Sequence, residues 1–96
     1  MDYELFGDGS GCLNACVLKP AERMMRIAER LNAPITFFAE VLEFTALSAH
    51  DHDSRAPDQL RNSLLRGHDV QLHLHPQWHN ATRNPKGDWQ LDMKRW

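Results

Sequence analysis

Ninety-six residues, 42% hydrophobic and 25% charged, suffice for one domain with a modest core and exclude a disordered tail, a fibrous repeat and a disulfide-dense secreted scaffold. A formal net charge of -2 gives no electrostatic reason to expect a nucleic-acid partner. No apolar run reaches membrane length, and the opening "MDYELFGDGS" lacks the basic start and apolar core of a signal peptide, so the expected setting is cytoplasmic.

The first element is a strand over "DYELF", rich in β-formers and followed by the turn residues "GDGSG". Cys12 and Cys16 stand four apart in a chain without an export signal and read as free thiols. Proline then opens a helix over "PAERMMRIAERLN", with Ala21, Met24, Met25, Ala28 and Leu31 at helical spacing and charges on the other face. Ile35 to Phe38, in "APITFFAEVLEF", form a β-branched and aromatic run that predicts a second strand buried on both faces.

"LSAHDHDSRA" is polar and irregular, and its "HDHD" cluster at His50 to Asp53 reads as a solvated loop. A second helix is expected from Pro57, with Leu60, Leu64 and Leu65 inward and Gly67 as its stop. His68 then reads as a cap on that helix's carbonyls. The third strand is expected from Asp69 to His75, ended by Pro76, and the remaining tail is turn-rich without strong periodicity. Strand, helix, strand, helix, strand predicts an α/β fold of three parallel strands with crossover helices, the first strand beside the second and the second beside the third. Ending at Trp96 without a helix over the last strand, residues 1–96 read as one truncated domain.

The third strand, "GHDVQLHLHPQW" with its flanks, carries the chemistry. Alternation puts Val70, Leu72 and Leu74 on one face, expected to pack on helices, and Asp69, Gln71, His73 and His75 on the other. Burying four polar positions in succession without partners would cost several kcal/mol, so they face a polar cavity or a ligand. His73 and His75 come at the C-terminal strand end, where α/β folds place their sites, with Cα atoms roughly 6 to 7 Å apart. Asp8, in a glycine-bracketed loop after the first strand, brings a carboxylate to the same rim. Two imidazoles and a carboxylate, with positions left for water, make an open divalent-metal site, with zinc as the expected ion.

In this order, "ELFGDGSG", "PITFFAE" and "GHDVQLHLHPQW" resemble the start of a polysaccharide deacetylase of the NodB-homology superfamily, in its divergent WalW-like branch. The resemblance implies the N-terminal part of a (β/α) barrel and a metal-dependent hydrolase acting on a non-peptide C–N bond of an N-acylated carbohydrate. It implies Asp8 as the metal aspartate, while Gly7 stands where the family carries its general base. His73 matches the first histidine of the family's third-strand motif, and the second falls on Gln77. His75, on the strand face of His73, is therefore preferred as the replacement over His79, which lies beyond Pro76. With Gly7 unable to act, Glu40 at the end of the second strand is the candidate catalytic base.

Two other classes compete. One is a non-catalytic carbohydrate- or metal-binding module, in which Trp78, Trp89 and Trp96 stack on sugar rings. The other is a Rossmann-like nucleotide binder resting on "GDGSG", whose glycines miss the dinucleotide spacing.

Overall fold

The computed structural model describes residues 1–6 and 9–94. Strand β1 (Asp2–Tyr3) leads through a π-helical turn (Asn14–Leu18) into helix α1 (Lys19–Arg30), followed by β2 (Thr36–Glu40), α2 (Val41–Asp51), α3 (Arg55–Leu65) and β3 (Asp69–His73). A 3₁₀ turn (Pro76–Trp78) and two short strands, β4 (Thr82–Arg83) and β5 (Trp89–Gln90), complete the chain. The main sheet has the order β1-β2-β3, both pairs parallel, as the alternation of elements predicts. Among the described residues no helix is long and apolar enough to cross a membrane.

Register sorts the side chains. Tyr3 pairs with Ala39, Phe37 with Val70 and Ala39 with Leu72, which sets Tyr3, Phe37, Ala39 and Val70 on one face. Helices cover that face. The Tyr3 hydroxyl donates to Gln59 Oε1 of α3 at 2.6 Å, and Gln59 Nε2 donates on to the Leu18 carbonyl at 2.8 Å. The Tyr3 ring meets Phe37 and Phe44 edge to face at 5.7 and 5.3 Å, and Val17, Ala21 and Met25 fill the space beneath. Arg66, after α3, donates to Glu22 and Glu29 of α1 at 2.8 and 2.7 Å, tying the two helices together.

The opposite face, with Asp2, Phe38 and Gln71, has no such cover, and Phe38 is 41% exposed. The expectation that β2 is buried on both faces is thus corrected to one. Likewise the apolar face of β3 is only partly covered: Val70 is half-buried, whereas Leu72 and Leu74 are exposed.

Three helical expectations change. Residues 41–51 form α2, where "VLEF" was grouped with the second strand and "LSAHD" with irregular chain, and His50 and Asp51 lie in its last turn with His52 closing it at φ 53°. Phe44, Ala46 and Leu47 give α2 its buried side, and Val41 and Phe44, both favoured in strands, let "VLEF" read on from the strand. In α1, Met24 and Leu31 point outward, leaving Ala21, Met25 and Ala28 to the core. In α3, which starts two residues before Pro57, Ala56 and Ser63 are buried and Leu64 and Leu65 are exposed. Ser63 occupies the inward position because its hydroxyl satisfies itself on the Leu60 carbonyl at 2.6 Å.

Gly67 does stop α3. At φ 91° it donates to the Leu64 carbonyl, and the next amide, His68 N–H, reaches back to Ser63 O. The His68 side chain does not cap that helix. Its Nδ1 accepts the Ile35 N–H at 3.1 Å and so braces the entry to β2. In the tail, β4 and β5 pair antiparallel, with the Trp78 and Trp89 rings packed at 5.3 Å.

Candidate metal centre

At the C-terminal end of the sheet, β2 and β3 are in a register that places Glu40 beside His73. His73 is half-buried on the uncovered face, and Glu40, of the same parity, is fully buried at the strand end. Glu4, one residue past β1, has the same parity as Asp2 and joins them. Its Oε2 lies 2.9 Å from His75 Nε2 and 3.7 Å from His73 Nε2, and the two Nε2 atoms are 2.8 Å apart. All three side chains are partly buried, and their ligand atoms lie within 4.8 Å of one another. The rings meet edge to face at 4.5 Å although β3 ends at His73, because His75 keeps an extended backbone before the 3₁₀ turn.

Two glutamates hold this cluster from behind. Glu40 is fully buried. Its Oε1 accepts the Leu42 N–H at 2.9 Å, capping α2, and its Oε2 accepts the His75 N–H at 2.7 Å. One carboxylate thus fixes the start of α2 and the backbone of a cluster histidine. One turn on, Glu43 is also fully buried, and both of its oxygens accept the Leu5 N–H, at 2.8 and 3.1 Å. Burial pushes the Glu43 carboxyl up to about 8, against the lowering effect of the Leu5 N–H and with added repulsion from Glu40 and Glu4.

Of the residues singled out in the sequence, His73 and His75 come together and Glu40 stands directly behind them. Asp8 lies outside the described residues, as does Trp96. His79 is exposed beyond the 3₁₀ turn, away from the cluster. Trp78 and Trp89 are buried, and the Arg83 guanidinium covers Trp89 at 4.1 Å, so neither ring is open to a sugar. Glu4 is the residue missed from the sequence. Its signal was parity: with Asp2 facing one side, Glu4 follows two residues on, and parallel register carries it to the level of Glu40.

A second concavity, of about 520 Å³, opens between the residue 9–13 loop and the tail hairpin. Arg55 and Arg83 line it, but each is paired with an aspartate, Asp53 and Asp51. Cys12 faces it as a free thiol, held below the usual thiol range by the Ala15 and Asn14 backbone N–H groups and, more weakly, by Arg55. Compared with family models, curated proteins and solved structures, the chain matches none.

Proposed function

We propose that this chain forms the first part of a (β/α) barrel of polysaccharide deacetylase type, and that Glu4, His73 and His75 hold a divalent cation, zinc or a similar first-row ion, with Asp8 as a further ligand. The observation that carries this reading is the meeting of one carboxylate and two imidazole Nε2 atoms at the C-terminal end of parallel strands, on the face no helix covers. The donor set suits the ion: two nitrogens and an oxygen within 4.8 Å of one another leave positions for water and substrate.

When bound, such an ion polarises an amide carbonyl and acidifies a water. The chain's own contribution is orientation. Glu40 accepts the His75 N–H and fixes the backbone that carries the imidazole, while Glu43 holds Leu5, and through it Glu4, against α2. The substrate class is an N-acylated carbohydrate hydrolysed at a non-peptide C–N bond, in a cytoplasmic setting.

Metal analysis after dialysis in chelator-free buffer tests the centre. About one zinc per chain is expected, with affinity lowered at least about tenfold by His73→Ala or Glu4→Gln. A chain that retains no metal overturns it. One observation favours a second reading, a non-catalytic metal- or carbohydrate-binding module: both Glu40 oxygens are engaged by backbone N–H groups. Binding of chito-oligosaccharide without acetate release separates the two.

A further inference from the structure

Cys12 stands immediately before the helical run that begins at Leu13, and its carbonyl accepts the Cys16 N–H at 2.8 Å. It therefore holds the capping position, where a side chain meets the first free N–H groups of a helix. The Ala15 and Asn14 N–H groups hold its thiol below the usual range, with weaker help from Arg55 and Lys19, and so favour the reactive thiolate. That thiol is exposed and opens on the concavity of about 520 Å³, walled by the residue 9–13 loop, the end of α2, the start of α3 and the tail hairpin. Cys16, one turn on, is half-buried, and its sulfur leans back toward the loop: a Cβ on Gly11 would stand 3.0 Å from Cys16 Sγ. Because residue 11 lacks a Cβ, the second sulfur fits against the residue next to Cys12.

We propose that Cys12 is a site of oxidation by hydroperoxides and that Cys16 resolves it, closing a reversible Cys12–Cys16 disulfide. The Cys12 thiolate attacks a peroxide oxygen, an S–O bond forms as the O–O bond breaks, and the departing alkoxide or hydroxide takes up a proton. Cys16, as its thiolate, then attacks the Cys12 sulfur. The S–S bond forms, the S–O bond breaks, and hydroxide leaves and is protonated to water. Two thiols are oxidised and one hydroperoxide is reduced. Exposure and the N–H groups give the attack to Cys12, and the half-buried sulfur one turn on is placed to resolve. Four residues of helix rise about 6 Å, so the Cα atoms start inside the span of a disulfide, while Cβ atoms at helical spacing are about 1 to 2 Å too far apart. Cys12 precedes the helix and follows Gly11 at φ 101°, so the closing movement falls on the cap and the glycine. A bridge reached by such a movement is of the labile kind that a monothiol reopens.

The reaction needs no metal, so the full chain is treated with hydrogen peroxide in EDTA, at about 10 μM to favour closure within one chain. Mass spectrometry is expected to find a monomer lighter by two hydrogens, with Cys12 joined to Cys16, and glutathione is expected to restore the thiols. In Cys16→Ser the sulfenic acid on Cys12 has nothing to resolve it and is expected to be trapped by dimedone. In Cys12→Ser, trapping at Cys16 is expected to be at least about tenfold slower. Alkylation of the unmodified chain by iodoacetamide reads the same order without a variant: Cys12 is expected to lead by at least about tenfold, and the gap to close in urea, because it depends on the folded cap. Sulfinic acid or linked chains in place of the internal bridge, equal labelling of the two cysteines in the folded chain, or a gap that survives in urea overturns the proposal.

Discussion

Glu40 and Glu43, three residues apart, are both withdrawn from water, and their partners are backbone N–H groups rather than cations. Folding raises the Glu43 carboxyl from 4.5 to about 8. Between those values the folded chain keeps a proton that the unfolded chain has released, so stability is greatest near the acid end of that window and falls as pH rises through it. Urea midpoints measured at intervals from pH 5 to 8 are expected to drop steadily. In Glu43→Gln, which still accepts the Leu5 N–H, the decline is expected to flatten; an equally steep decline assigns it to another group. Glu40→Gln leaves one acceptor oxygen for two N–H donors, at a cost of about 1 to 3 kcal/mol. It is also expected to weaken zinc binding about 10- to 100-fold, because the backbone of His75 loses its anchor. Lower stability with unchanged zinc affinity would reduce Glu40 to a helix cap. From the sequence, Glu40 was legible as a carboxylate at the rim. Its partners were not, because both are amides whose positions depend on α2 and on the turn after β3.

At the scale of elements, the punctuation was legible and the inward faces were not. Gly67 acts through its own backbone geometry, which needs no neighbours, so the α3 stop could be anticipated, whereas the helical backbone runs on ahead of Pro20 through the Asn14–Leu18 turn, which the sequence did not announce. Gly67 makes the point quantitatively. It sits at φ 91°, and a Cβ there meets nothing within 4 Å, so Gly67→Ala tests backbone strain alone. The expected loss is about 1 to 2 kcal/mol, a fall of about 4 to 16 °C in Tm by thermal melting. An unchanged Tm would mean that the turn relaxes out of the left-handed region. By contrast, Met24, Leu31, Leu64 and Leu65 are apolar yet point outward, and Ser63 is polar yet buried. Periodicity gives the width of an apolar stripe, whereas packing selects which part of it is covered. Helix α2 was hidden for a related reason: Glu40 caps it directly from the last residue of β2, with no glycine or proline between strand and helix.

For the whole molecule, helices sit on one face of a three-stranded sheet and the cluster of Glu4, His73 and His75 stands on the other. Strand order was legible because parallel neighbours need crossovers and the helices lay between the strands. Sidedness was not, since apolar runs such as "ITFF" read alike whether one face or both are covered. On the proposed reading, that sidedness governs activity. Among the described residues no wall rises over the cluster to exclude water or orient a sugar, and positioning supplies a large part of any rate enhancement. A missing general base or acid costs a further factor of about 10² to 10⁴ each. Both Glu40 oxygens are already held by N–H groups. The 96-residue chain is therefore expected to bind zinc yet release no acetate from N-acetylated chito-oligosaccharides, whether zinc, cobalt or manganese is supplied. The decisive comparison is acetate release by the unmodified chain against Asp8→Ala. Turnover in the first and none in the second would mean that these residues alone assemble a working site, with a base other than Glu40 and a wall formed only when substrate binds.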